Sequence, residues 1–240
     1  MAAPSLAPRP RSGASRVLRE LYARPTSAIG TTLVALFVVL AVLGPLLAPY
    51  GPTEQLLGAR SQAPGADHWF GTDRLGRDVF SRVVAGARDI FLLAGGGTAV
   101  AVAIGTLTGL IAATLGGWWD EIAFRLYDTL LALPALLLAL LLLGTLGPSR
   151  SSVLWVIAIA YTPIVARVVR SVVLTVKTRE WVAAARMQGE TLPWILSREI
   201  LPSVLPALAV EAALRFSYAI FLVASLGFLG VGVQPPAPDW

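Results

Sequence analysis

Residues 179–202 read REWVAAARMQGETLPWILSREILP, a polar stretch held between two long apolar runs. The pattern predicts two short helices broken at Gly189. Thr178 stands where a side chain can cap the first helix, and Glu180 falls in its first turn, where the helix dipole favours an acid. Gly189 is placed to end that helix, and Thr191 with Pro193 to start the next. A helix-glycine-helix hairpin at a membrane surface is a knob that another protein can push on. That reading requires the flanking runs to be membrane spans.

Composition supports them. The chain has 240 residues, 56% hydrophobic and only 14% charged, with a mean hydropathy of +0.72. A soluble domain of this size carries roughly 25% charged residues. The absence of Cys excludes disulfide and thiol chemistry, and a single histidine, His68, leaves no His-based metal cluster and no Ser–His nucleophile pair. The formal charge of +5 comes mostly from residues near span ends, which favours membrane topology over nucleic-acid binding as its explanation.

Residues 28–48 form 21 positions without a charge, enough to cross about 30 Å of hydrocarbon as helix. Three further spans are expected at about 90–115, 129–148 and 151–170, the last lengthened by Arg167 snorkelling to the surface. A fifth is expected at about 203–226, interrupted by Glu211 and Arg215. The expected fold is therefore an all-α polytopic integral membrane protein with five transmembrane helices. Residues 1–27 form an Arg-rich tail, 49–89 an outer loop with an amphipathic segment, 90–233 the core and 234–240 a Pro-rich turn. The first span is too long for the core of a signal peptide and reads as a retained anchor. Twelve basic residues fall near span ends on the N-terminal side and six on the other, so the N-terminus and the 178–202 loop are expected in the cytoplasm.

Other strings carry chemistry or packing. Residues 68–82, HWFGTDRLGRDVFSR, suggest an amphipathic helix lying at the outer surface. The string GGWWDEIAFRLYD, ending at Asp128, reads as a short cytoplasmic turn with Trp118 and Trp119 at the interface and an Arg125–Asp128 pair. Gly105 and Gly109, with the cluster Gly95–Gly96–Gly97, mark close helix packing within the chain. Glu211 and Arg215 lie one helical turn apart in the fifth span. They read either as lining of a polar translocation path or as a mutually satisfied structural pair.

Three of these strings bear a resemblance. FGTDRLGRDVFSR at 70–82, the 179–202 loop and ASLGFLGVGVQPPAPDW at 224–240 resemble, in order and spacing, permease subunits of binding-protein-dependent ABC importers. The likeness is to the dipeptide, oligopeptide and nickel family, of the DppC/OppC type, and covers most of the chain beyond the first span. In the family the 179–202 loop is the EAA-type coupling loop, whose positions here are Glu180, Trp181, Val182, Ala184, Ala185, Arg186, Gly189, Arg198 and Pro202. Ala183 stands where the family has Glu, Glu199 where it has His, Ser203 where it has Asn, and Val223 where it often has Glu. The family has six spans and this chain stops after the fifth, so truncation is expected.

The resemblance implies a multi-pass subunit of a prokaryotic plasma (inner) membrane. It would form half of a translocation path for short peptides and couple that path to ATPases. Its partners would be a homologous second permease subunit, two ATP-binding subunits, an extracytoplasmic substrate-binding protein and the lipid bilayer, with no nucleic acid. Nickel chelates or another small polar solute are the alternative cargo, and a non-transport membrane scaffold is the alternative class. No catalytic residue or metal site is expected. The sequence holds no GxxxxGK[ST] string, so ATP and magnesium are expected only on the partner ATPases.

Overall fold

The computed structural model describes residues 20–56, 58–233 and 236–238. The Arg-rich tail up to residue 19, and positions 234–235 and 239–240 of the Pro-rich turn, lie outside the described residues. Within them the secondary structure is helical, apart from one isolated bridge between Thr72 and Asp78. The order is α1 (Pro25–Leu47), α2 (Val79–Leu115), α3 (Gly117–Leu131), α4 (Ala135–Leu146), α5 (Arg150–Val176), α6 (Glu180–Met187) and α7 (Leu192–Ile195). A π-helical turn (Leu196–Ile200) then runs into α8 (Leu201–Phe228).

Four described helices are long and apolar enough to cross a membrane: α1, α2, α5 and the continuous 192–228 segment ending in α8. The count becomes five if α3 and α4 together make one broken span. The expected straight helix at 129–148 is not formed. The chain bends by 92° between α3 and α4, with Pro134 at the N-cap of α4. Proline has no N–H to continue the ladder and disfavours helical geometry in the residue before it, so the apolar run must break there. At 12 residues, or about 18 Å of helix, α4 cannot span hydrocarbon alone.

The centre of the molecule is the crossing of α2 and α5. Hydrophobicity does not drive such contacts in lipid; close backbone approach does. Added β-carbons at Gly97, Gly105 and Gly109 of α2 would lie 2.7 Å from Ile157, 2.8 Å from Val165 and 2.7 Å from the Ala166 carbonyl of α5. The expected intrachain role of these glycines is what the structure shows. α8 completes the bundle, with Leu222, Val223 and Leu226 buried against α2 and α5 and Phe216 edge-on to Phe91 at 5.3 Å. α1 is peripheral. It touches α2 through Gly44, whose added β-carbon would meet the Val84 carbonyl at 2.7 Å, and otherwise exposes an apolar surface suited to lipid.

The expected surface helix over 68–82 is instead a folded loop followed by the first turn of α2. Gly71 and Gly76 hold φ of +71° and +77°, which excludes a helix through them. Asp78 caps α2 by accepting the Ser81 amide at 2.7 Å and also bonds His68 Nδ1 at 2.9 Å. Asp73 accepts the amides of Leu75 and Arg77 and the Arg77 side chain. Burial pushes both carboxyls up, but these hydrogen bonds outweigh it and hold each below the ordinary aspartate range. Thr72 accepts the Gln62 amide and donates to the Ala59 carbonyl, Ser81 accepts the Tyr50 amide, and Arg82 donates to the Pro52 carbonyl, so the polar residues of the 70–82 string tie the outer loop together.

The two ends of the bundle are distinct. At one end Asp89 pairs with Arg150 at 2.6 Å, and Arg82 donates to the carbonyls of Pro236 and Ala237. At the other, Lys177 Nζ donates to the Ala113 carbonyl at 2.8 Å near the C-terminus of α2, and α3 is tied to α5.

Candidate functional site

The 179–202 hairpin sits at the end of the bundle that carries Ala113 and α3. Its helix α6 is two-faced. Val182 and Ala185 are buried in a cluster with Val173, Val176, Ile195 and Ile200, which fixes α6 against α5 and the start of the α8 segment. Glu180, Trp181, Arg186, Gly189, Arg198 and Pro202 are exposed, and Ala184 is half-buried. The nine coupling-loop positions therefore divide: two seat the hairpin and the rest face outward or lie at its margin. Ala183, which stands in place of an acid, is on the exposed face. A concavity of about 490 Å³ beside α6 is lined by Thr175, Thr178, Arg179, Glu180 and Trp181.

The hairpin closes at Gly189, with φ of +82°. Its N–H bonds the Arg186 carbonyl and the Glu190 N–H bonds the Ala185 carbonyl, the paired bonds of a Schellman cap. Thr178 is not the cap of α6. Arg179 holds that position without a side-chain bond, and the Thr178 hydroxyl donates back to the Thr175 carbonyl at the end of α5. Thr191 holds the N-cap of α7 with Pro193 in its first turn, also without a side-chain bond.

Ion pairs tie the hairpin's supporting helix to the bent pair. Arg170 of α5 forks onto Asp120 of α3 through Nε at 2.7 Å and Nη2 at 2.5 Å, and its guanidinium lies 4.8 Å over Phe124. Arg167 reaches Asp128 at 2.6 Å. One expectation is corrected here: Arg125 pairs with Glu121 at 2.6 Å rather than with Asp128. The Glu-to-Arg spacing of four, acid first, is the favourable orientation on one helix face, and Asp128 faces α5.

Glu211 and Arg215 lie in α8 far from the hairpin. Arg215 is the fifteenth of the helix's 28 residues, near the middle of α8. Its Nε is 2.7 Å from Glu211 Oε1, and both side chains are nearly buried. The contact is ionic rather than a hydrogen bond, because neither atom is aligned to complete one. Tyr161 of α5 and Tyr218 of α8 flank the guanidinium at 5.6 and 4.9 Å from their ring centroids. These two tyrosines were not singled out from the sequence. The Arg215–Tyr218 spacing of three was legible, but Tyr161 comes from another helix.

A conserved-domain profile described as binding-protein-dependent transport system inner membrane component matches residues 105–240. The chain belongs to this family. A second profile, the N-terminal TM domain of oligopeptide transport permease C, matches residues 13–64 of the permease. The permease is 39% identical over 222 residues to the dipeptide transport system permease protein DppC of Alkalihalophilus pseudofirmus, covering 92% of this chain and 73% of that one. It is 35% identical over 230 residues to the "Probable D,D-dipeptide transport system permease protein DdpC" of Escherichia coli, covering 96% of this chain and 77% of that one. The permease is thus a multi-pass inner-membrane subunit of a binding-protein-dependent importer.

Proposed function

We propose that this permease forms half of the translocation path for short peptides and couples it to ATP hydrolysis in partner subunits. The observation that carries the proposal is the construction of α6. Its apolar side is locked into the bundle, while Glu180, Trp181, Arg186 and Gly189 project from the end of the molecule. A rigidly seated helix with an exposed polar face transmits a push without absorbing it. Arg198 and Pro202 extend the same surface along the segment leading into α8. The distribution of basic residues supports a cytoplasmic position for this end, the side where ATP is available.

In this reading the chain hydrolyses nothing and binds no cofactor. ATP and magnesium bind two partner ATPases, a homologous permease supplies the other half of the path, and a substrate-binding protein docks at the opposite, extracytoplasmic end. Peptide cargo is supported by the peptide-transport names of the relatives. The path passes Glu211 and Arg215, since charges within a span normally face a bundle interior or a wet cavity. The test is reconstitution of the permease with its partners in vesicles. Peptide-stimulated ATP hydrolysis with peptide accumulation is expected, each lost when the permease is omitted. Assembly of the permease without any ATPase subunit would overturn the proposal.

A further inference from the structure

Beside Arg215 lies a cavity of about 250 Å³, where the start of α4 meets the middles of α5 and α8. Its walls include Tyr161, Tyr218, Phe221 and Leu222, with Ala135 and Leu136 just beyond the Pro134 bend. Among the described residues, Arg215 is the only charged one lining it. We infer that this cavity is a station on the translocation path that holds the free C-terminal carboxylate of a passing peptide. The inference rests on the peptide-permease reading above.

Three observations lead there. The first is valence: a cavity whose one charged wall is a guanidinium selects an anion over an ammonium group. Glu211, which pairs with Arg215 through Nε, is absent from the lining. The second is unused donor capacity. Arginine carries five N–H donors in a planar fork matched to a carboxylate, and Glu211 engages Arg215 through Nε alone, without completing a hydrogen bond. The third is setting and size. An arginine within a span is costly against lipid, so its cavity faces protein or water. At about 250 Å³ the space lies below the range of whole-ligand pockets and suits one end of a peptide. The apolar and aromatic walls would accept the last side chain while the fork takes the carboxylate. Glu211, already in ionic contact with Nε, competes for the cation and keeps the hold weak enough for release. Because the α3–α4 bend borders the cavity and α3 is clamped to α5 by Arg170 and Arg167, movement of the hairpin end has a mechanical route to this station.

The experiment uses the reconstituted importer with alanyl-phenylalanine and its C-terminal amide. The affinity of the binding protein for each is measured separately, and uptake is compared at saturation. The acid is expected to be taken up at least about tenfold faster than the amide, the scale of losing one charge-assisted contact. Arg215→Gln should bring that ratio close to one, and Arg215→Lys, which keeps charge but not the fork, should fall between. Tyr218→Leu, at a half-exposed wall position, reads the same ratio if Arg215→Gln does not assemble, and should reduce it. An acid-to-amide ratio near one in the wild type, or a ratio unchanged in the variants, overturns the inference while leaving peptide transport standing. Failed assembly of Arg215→Gln together with an unchanged ratio in Tyr218→Leu also overturns it, and leaves Arg215 as the structural partner of Glu211. Uptake of neither compound by the wild type sinks the peptide reading itself, and this inference with it.

Discussion

Alanine at Gly109 adds one carbon where the backbones of α2 and α5 approach closely. That carbon would lie 2.7 Å from the Ala166 carbonyl oxygen and 2.9 Å from Val169 Cβ. Ordinary contact begins at 3.4 Å, so the two helices must separate locally by roughly 0.7 Å. A backbone oxygen cannot rotate away as a side-chain end can. Overpacking of this kind costs about 1–3 kcal/mol, a five- to 150-fold shift in equilibrium. Gly105→Ala should behave alike, since its added carbon meets the Thr162 carbonyl at 2.9 Å. Gly30→Ala in α1 and Gly144→Ala in α4 are the controls, because nothing lies within 4 Å of their added carbons. The assay is thermal unfolding and aggregation of the detergent-purified complex, with membrane expression as a second readout. Val169→Ala should rescue Gly109→Ala only in small part, as it removes Cγ1 at 3.1 Å but leaves both the Ala166 carbonyl and the β-carbon of residue 169 in place. Equal stability of Gly109→Ala and Gly144→Ala would refute the reasoning, because the crossing would then have slack that the distances deny.

Gly189→Ala has room for its carbon but must hold φ near +82°, a strain of about 1–2 kcal/mol. Peptide uptake per ATP hydrolysed should fall while the bundle's melting temperature stays near wild type; normal coupling would argue against α6 as the transmission element. Asp120→Asn removes the acceptor charge beneath the Arg170 fork and should cost about 1–2 kcal/mol, between exposed and buried ion-pair values. The exchange Asp120→Arg with Arg170→Asp should recover part of that loss in the same melting assay. In the 70–82 loop the folded carboxyls of Asp73 and Asp78 titrate below their unfolded values. Their stabilisation is therefore present above about pH 3.9 and lost as pH falls through the lower folded value. Limited proteolysis of the loop should accelerate in that acidic window for the wild type, and Asp78→Asn should be cleaved readily at neutral pH.

Much of this protein was written in local sequence. Long apolar runs, the last interrupted by Glu211 and Arg215, marked α1, α2, α5 and α8 because helices of such length and composition suit a bilayer span. Gly189 marked the hairpin because a left-handed turn there depends on one residue's missing side chain. The strings at 70–82, 179–202 and 224–240 pointed to the permease family. The positions expected to couple were visible as a set, but only packing divided them into Val182 and Ala185, which seat the helix, and the exposed residues, which do not. The break of the third run is a nearer miss. Pro134 was in plain view, yet apolar length dominated the reading, and the 92° bend emerged only with the geometry of α3 and α4. Pairing was decided by tertiary structure. Arg170 finds Asp120 50 positions away and Arg167 finds Asp128 39 positions away. Helical spacing describes neighbours on one face and says nothing of which other helix arrives opposite. The same holds for Arg215, whose charge was evident in sequence. Its tyrosine walls and cavity exist only because α5 delivers Tyr161 to the middle of α8, and a contact between two helices is a property of neither alone.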